Sequence, residues 1–246
     1  MIQAFFKGKL VIQDNCVKKN EDLKTSSSIG LLQYLPDVVF WKILRSSCVC
    51  FPEIDFGKIL SFNFWSHNDA TNTNNSLFVE PDVWIETEKY DVIIEAKVCE
   101  EYGIYMQSEV QWNDEIISLR NEQEKMEYSK PIIMIALGGN DNMMPDSAMD
   151  CPVYKASWYN LMNAVVNEQN KQNNKGYVCR ILDDVIEMLA RQGVIKIEWL
   201  KTLPEQRYKV NEHSLDMWTK HKLGFFTIHN MIINETIVQQ WKPINQ

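Results

Sequence analysis

The amino-acid sequence predicts an α/β protein with a meander of three strands placed between helices. Hydrophobic residues recur at helical spacing in some segments and in strand-like runs in others. The run Val92-Ile93-Ile94 is apolar on both faces, which is typical of a central strand covered on both sides. At 246 residues, 45% of them hydrophobic, the chain has room for a core domain with an appended subdomain.

Two helices are predicted ahead of the meander. In residues 21–35 the apolar residues follow helical spacing, and the hydroxyl side chains of residues 25–28 offer caps. Pro36 suits the first turn of a second helix, which stops at Ser46-Ser47.

Strand-like and helical patterns then follow one another. The predicted meander consists of strands at residues 59–65, 76–86 and 91–98, with an Asn-rich loop after the first. A long helix and an apolar strand are predicted next, at residues 107–127 and 131–137.

The C-terminal part is predicted to form an appendix to this core. After a loop up to Pro152, we expect helices at residues 154–169 and 177–191, a strand at 195–200 and an aromatic-rich tail at 218–241. We therefore assign the core domain to residues 1–175, and an appendix of helix and small β structure that packs on the core to residues 176–246.

The residues that carry chemistry lie on the second and third strands of the meander. Asp82 directly follows a proline, and Glu95-Ala96-Lys97 ends the third strand. Because side chains alternate along a strand, Glu95 and Lys97 point to one face and Ala96 to the other.

The expected register brings these charges together. If the strands turn tightly around Lys89-Tyr90, Asp82 falls opposite Lys97 and Trp84 opposite Glu95. Opposed side chains lie about 4.5–5.5 Å apart at Cβ, so the three ionisable groups would form one polar cluster. Two carboxylates suffice to hold Mg²⁺ or Mn²⁺ together with a substrate phosphate, and a neighbouring ammonium can orient the attacking water.

Pro81-Asp82, a short spacer and Glu95-Ala96-Lys97 resemble the signature of the PD-(D/E)xK nuclease superfamily, which has the restriction-endonuclease-like fold. The resemblance covers roughly residues 21–137. It implies a core of a helix, a three-stranded meander, a second helix and a further strand, and it implies metal-dependent hydrolysis of phosphodiester bonds. Two other Pro-Asp pairs, at residues 36–37 and 145–146, lack this strand context.

The resemblance also implies roles for individual residues. Asp82 and Glu95 would be metal ligands, with the backbone carbonyl of Ala96 as a helper, and Lys97 would position or help deprotonate the attacking water. An acid from the first helix often joins the metal, and Glu21 is our candidate, with Asp22 as the alternative.

A polar residue from the long helix completes the expected site. Gln111 is the preferred match and Gln107 the second. Both share a stripe with Glu115 at four-residue steps, a pattern that also suits an ordinary solvated helix surface.

Composition limits the partners that the chain can bind. A formal net charge of −8 argues against a protein that coats nucleic acid through its overall field, but it permits a DNA substrate held by a few clustered cations. No run approaches about 18 consecutive apolar residues and no secretory apolar region opens the chain, so we expect a cytoplasmic protein without a membrane partner. The six cysteines are scattered and are expected to be reduced thiols.

Proteins of the resembling class serve restriction, phage defence or DNA repair, and a second copy of the chain or a defence-system protein is a compatible partner. Two alternatives stay open. One is a catalytically inactive scaffold or nucleic-acid-binding subunit with the same fold. The other is a structural salt-bridge cluster that binds no metal.

Overall fold

The computed structural model describes residues 21–98, 106–171 and 176–194, together with residues 3–4, 7–9, 12–13 and 16–17. The chain divides into two compact units, Met1–Ile197 and Glu198–Gln246, and every described residue belongs to the first. The strand predicted at 195–200 and the tail predicted at 218–241 lie outside the described residues.

Within the described residues, helices and strands follow one another as expected of an α/β protein. The helices are α1 (Glu21–Leu32), α2 (Asp37–Ser47), α3 (Glu109–Lys125), α4 (Trp158–Gln169) and α5 (Tyr177–Arg191). The strands are β1 (Ile12–Gln13), β2 (Cys16–Val17), β3 (Ile59–Phe64), β4 (Asn68–Asp69), β5 (Phe78–Val79), β6 (Val83–Thr87), β7 (Asp91–Ala96), β8 (Ile132–Leu137), β9 (Asp146–Ala148) and β10 (Cys151–Ala156).

Six of these strands form one mixed sheet in the order β3-β6-β7-β8-β10-β9. β3, β6 and β7 are antiparallel neighbours, as a meander requires, and the pairs β7-β8 and β8-β10 are parallel. α3 is the crossover that the parallel pair β7-β8 needs. β4 and β5 form a small separate ladder between the first and second strands of the meander.

The sheet is covered on both faces. Helices α1, α2, α4 and α5 contribute to a large apolar cluster on one face, to which β7 adds Val92 and Ile94. Helix α3 contributes to a smaller cluster on the opposite face, together with Trp84 and Ile93. Every residue of β7 is buried, which confirms that this strand is central. Because side chains alternate, Glu95 lies on the α3 face with Ile93.

Most of the predicted core elements are present. The helices predicted at residues 21–35, 107–127 and 177–191 correspond to α1, α3 and α5. The predicted strand at 76–86 is instead two strands, β5 and β6, separated at Pro81, which has no backbone N–H to donate to a ladder. α5 packs against α1 and α4, while the boundary at residues 175–176 stays a prediction.

The prediction of a loop up to Pro152 and a helix from residue 154 is wrong. These residues form β9 and β10, and α4 begins only at Trp158. Ser157 caps α4, since its hydroxyl accepts a hydrogen bond from the Asn160 backbone N–H at 3.0 Å. Pro152 lies inside β10 and pairs with the edge strand β9, and a proline within a run argues against a strand when only the sequence is known.

The predicted register of β6 and β7 is wrong by two residues. Trp84 pairs with Ile93 rather than with Glu95. The turn closes one residue earlier than predicted, because the Thr87 backbone N–H and hydroxyl both donate to the Tyr90 carbonyl oxygen, at 3.0 and 2.8 Å. A slip of two residues preserves the alternation of faces, so each side chain of the motif keeps its predicted face.

The hydroxyl groups of residues 25–28 do not cap α1, which is also contrary to prediction. They lie inside the helix and are buried. Ser28 Oγ donates back to the Lys24 carbonyl at 2.6 Å, and Ser27 Oγ accepts from Gln192 Nε2 at 2.6 Å. Ser27 and Ser28 thus bond to main-chain carbonyls of α1 or to the Gln192 side chain, where α1 is enclosed by neighbours.

The described residues also bear on membrane spans and on the state of the cysteines. No helix among them is both long and apolar enough to cross a membrane. The cysteines at positions 48, 50, 151 and 179 are free thiols, as predicted for these four.

Replacing Ile94 by alanine should lower the free energy of unfolding by about 2–5 kcal/mol, because the side chain is fully buried in the central strand and its loss leaves a cavity. Leu60→Ala on β3 is the matched control, since that leucine is 54% exposed and should change stability by less than about 0.5 kcal/mol. Urea unfolding measures both. Equal losses in the two variants would contradict the assignment of β7 to the core.

Candidate metal centre

Carboxylates from α1, from the residue before β6 and from β7 meet the Lys97 ammonium where β7 leaves the sheet. Oxygen atoms of Glu21, Asp82 and Glu95 all lie within 4.8 Å of one another. The Lys97 ammonium forms an ion pair with Glu95 and lies 3.8 Å from Glu21 Oε1. The structure therefore brings together the three predicted residues of the motif and one acid of α1.

Asp82 is held by N–H donors on both carboxylate oxygens. Trp65 Nε1 donates to Oδ1 at 2.9 Å, and the Ala96 backbone N–H donates to Oδ2 at 2.8 Å. The backbone pairing of β6 and β7 ends at Val83 and Ile94. The next β7 N–H on this side is that of Ala96, and it bonds to the Asp82 side chain instead. The N–H and C=O of one strand residue point to the same edge, which puts the Ala96 carbonyl on the side of Asp82.

The two glutamines singled out in the sequence both reach β7. Gln111 Nε2 donates to Glu95 Oε1 at 2.6 Å and to Glu115 Oε1 at 3.0 Å. Gln107 Nε2 donates to the backbone carbonyls of Glu95 and Gly138, at 3.0 and 3.1 Å. Gln111 thus contacts the acidic cluster, whereas Gln107 secures the backbone. Gln111 and Glu115 of α3 therefore face the sheet and are not a solvated helix surface, while Gln107 lies just before the helix.

The two acids at the start of α1 have different surroundings. Glu21 belongs to the cluster, and its Oε2 accepts a hydrogen bond from the Val98 backbone N–H at 3.2 Å. Asp22 has Lys9 and Glu80 as its electrostatic neighbours and is not part of the cluster. The geometry favours Glu21 over Asp22 as the acid closest to the other carboxylates.

Glu115 is a fourth acid at this site, and the sequence indicates it only as a member of the polar stripe. It is 1% exposed, and its Oε2 has no hydrogen-bond partner among the described residues. Its carboxylate contacts that of Glu95. Two carboxylates in contact away from water need a proton or a cation between them. The signal that could have identified Glu115 is its four-residue spacing from Gln111.

Burial dominates the electrostatics of the cluster. Loss of hydration and then repulsion from neighbouring carboxylates raise the pKa values of Asp82 and Glu95 well above their usual range. Burial also raises the pKa of Glu21 and raises that of Glu115 to about 8. For Lys97, burial lowers the pKa, but Glu95 and Glu21 outweigh it, so the pKa is raised and the ammonium stays charged.

This donor set fits a hard divalent cation. Mg²⁺ binds oxygen at about 2.0–2.1 Å, so oxygens around one ion lie about 3–4 Å apart. The oxygens of Glu21, Asp82 and Glu95 are within 4.8 Å of one another, which is close to that range. A cation would also supply the positive charge that these buried acids lack, so the three carboxylates are the residues that would hold Mg²⁺ or Mn²⁺.

Comparisons of the chain with models of protein families, with curated proteins and with solved structures find no match.

In EDTA, the metal-free protein should become less stable as pH rises from about 4.5 to about 8. The folded state holds the Glu115 proton more tightly than the unfolded state, whose pKa is near 4.5, so stability is lost across this window. The slope from one such group is at most about 1.4 kcal/mol per pH unit.

The measurement compares urea unfolding of the parent with that of Glu115→Gln at several pH values in EDTA. The variant stays neutral, so its stability relative to the parent should increase with pH. A difference that is constant with pH would show that Glu115 does not carry a raised pKa.

Proposed function

We propose that this protein is a metal-dependent nuclease that hydrolyses phosphodiester bonds of DNA at the cluster of Glu21, Asp82, Glu95 and Lys97. The main support is that oxygens of three carboxylates lie within 4.8 Å of one another beside a charged lysine. Phosphodiester hydrolysis needs a cation to bind a phosphate oxygen and a second group to orient water, and this arrangement offers residues for both.

The divalent ion would be held by Glu21, Asp82 and Glu95, with the Ala96 carbonyl as a further ligand. When bound, such an ion polarises the phosphate and lowers the pKa of a coordinated water. The protein's contribution is to keep the ligands in place. The N–H donors of Trp65 and Ala96 hold Asp82 from two directions, so its carboxylate needs little reorganisation.

Lys97 supplies a fixed positive charge next to the acids. In the metal-free protein Glu95 and Glu21 raise the pKa of Lys97, so the side chain is protonated at neutral pH and donates hydrogen bonds. We infer that Lys97 orients the attacking water and stabilises the negative charge that develops on the phosphoryl oxygens. Of the two roles expected from the motif, this electrostatic one is favoured over deprotonation of the water.

Gln111 and Glu115 complete the side of the site formed by α3. Gln111 Nε2 joins the carboxylates of Glu95 and Glu115 by hydrogen bonds. The amide thereby limits the rotation of Glu95, and the neighbouring acid gives Glu95 a group with which to share a proton when no cation is present.

The order of elements supports the same class of activity. A helix, an antiparallel meander, a crossover helix and a parallel strand occur in the order that the PD-(D/E)xK resemblance implies. The resemblance also favours DNA as the substrate, and restriction, phage defence or repair as the process, with a second copy or a defence-system protein as partner.

The activity test uses linear, circular and single-stranded DNA and RNA, each with EDTA, Mg²⁺ or Mn²⁺. We expect cleavage of DNA with either metal and none in EDTA. Asp82→Asn and Lys97→Met should each reduce the cleavage rate by about 10²–10³-fold, because the first removes a charged metal ligand and the second removes the ammonium that stabilises the developing charge.

Lys89→Ala is the control for Lys97→Met, since Lys89 is a lysine of the same hairpin that pairs with exposed Asp55 instead of the cluster. Retained metal-dependent cleavage in folded Asp82→Asn and Lys97→Met would refute the site. DNA binding without cleavage by the parent would favour the scaffold alternative. A loss of stability in Lys97→Met, with no effect of metal on the parent, would favour the structural salt-bridge cluster.

Adjacent residues of α1 provide a second test that does not need activity. Glu21→Gln should weaken Mn²⁺ binding by at least about tenfold, because it removes one charged ligand, whereas Asp22→Asn should leave affinity nearly unchanged. Isothermal titration calorimetry measures both. Equal effects of the two substitutions would show that Glu21 is not a ligand.

A further inference from the structure

The backbone that carries Lys97 is held by side chains from several different elements. We call residues 95–98 the β7 exit. Its last contact with β8 is the hydrogen bond from the Lys97 N–H to the Leu137 carbonyl, at 2.8 Å. Beyond this bond the Lys97 and Val98 carbonyls accept hydrogen bonds from side chains, so the path of the chain here depends on tertiary contacts.

Trp158, at the start of α4, holds the first of these carbonyls. Its indole Nε1 donates to the Lys97 carbonyl oxygen at 2.7 Å. The Trp158 side chain is almost completely buried, so the N–H is directed at this oxygen in a water-poor setting, where the hydrogen bond is costly to lose.

Gly138 leaves room for this contact. A Cβ at position 138 would lie 2.4 Å from the Lys97 carbonyl oxygen and 2.7 Å from Trp158 Nε1, and the residue has a φ of +75°. Any other residue would therefore push the indole and the β7 exit apart, and would also be strained in its backbone.

Lys24 of α1 holds the second carbonyl. Its ammonium donates to the Val98 carbonyl at 3.1 Å and lies 5.0 Å from the centre of the Trp158 ring. A lysine that is 8% exposed is stable only when its charge is satisfied, and a carbonyl together with an aromatic face provides for part of that. Lys24 and Trp158 thus act on neighbouring peptide groups and contact one another.

We propose that Trp158 and Lys24 are positioning residues that fix the β7 exit and thereby hold the Lys97 ammonium between Glu21 and Glu95. The catalytic consequence rests on the proposed nuclease function, whereas the placement of Lys97 does not. Neither residue touches the acidic oxygens in the contacts described above, so both act through the Lys97 and Val98 backbone.

Trp158→Phe and Lys24→Met test the proposal, because each removes the donor and keeps most of the apolar side chain. We expect kcat to fall by about 10- to 100-fold, since a displacement near 1 Å in a site has effects of this size. KM and Mn²⁺ affinity should stay within about twofold of the parent, because the ligands themselves are unchanged. In a Lys97→Met background, neither substitution should reduce the residual rate further, since the group that they position is gone.

Trp41→Phe is the matched control. This tryptophan is also buried, but its indole N–H has no hydrogen-bond partner among the described residues, so kcat should not change. Gly138→Ala provides a third variant, and it should reproduce the kcat loss without removing either donor.

A labelling experiment measures the placement of Lys97 without any activity. Reductive methylation with formaldehyde, followed by mass spectrometry, reports the reactivity of each lysine amine in the intact chain. Lys97 should react severalfold faster in Trp158→Phe and Lys24→Met, while Lys89 stays unchanged as an internal reference.

Unchanged Lys97 reactivity in both variants at an unchanged melting temperature would overturn the proposal. The proposal would also be overturned if Trp158→Phe and Lys24→Met reduced the cleavage rate by the same factor in the parent and in the Lys97→Met background. If the parent cleaves no nucleic acid, the nuclease function fails by itself, and the labelling result alone decides whether the two residues position Lys97.

Discussion

The site depends on one constraint. It buries more acidic groups than the single adjacent ammonium can balance. Asp82, Glu95 and Glu115 are 6%, 2% and 1% exposed, and Lys97 pairs with only part of this charge. Apolar residues of similar size would serve stability at least as well at such a position. We propose that acids are kept buried where the central strand ends because the function needs their charge, with a divalent cation as the partner that satisfies it.

The fold meets this constraint by giving Asp82, Glu95 and Glu21 each a hydrogen-bond donor from a different part of the chain. An indole beyond the end of β3 holds Asp82, an amide of α3 holds Glu95, and a backbone N–H of the β7 exit holds Glu21. Trp158 and Lys24 extend the same principle to the peptide groups that carry Lys97. Because these donors come from separate parts of the fold, the site is complete only when the layers on both sides of the sheet are assembled.

Local patterns in the sequence predict much of this arrangement. Alternation along β6 and β7 places Asp82 on the face of Glu95 even though the predicted register is off by two residues, because a slip of two preserves the faces. Other features depend on tertiary contacts that no local pattern encodes. Trp65 bonds to Asp82 from beyond the end of another strand. Pro152 makes β10 hard to predict, because prolines rarely occur within strands. The choice of Glu21 over Asp22 depends on how α1 is oriented against the sheet.

The most direct measurement of a metal centre at this cluster is an anomalous difference map from a crystal of the protein grown or soaked with Mn²⁺. We expect a peak about 2.1 Å from oxygens of Glu21, Asp82 and Glu95, with the Lys97 ammonium beside it and outside the coordination sphere. A peak elsewhere, with the three carboxylates protonated or paired only with Lys97 at saturating Mn²⁺, would contradict the assignment of these acids as ligands.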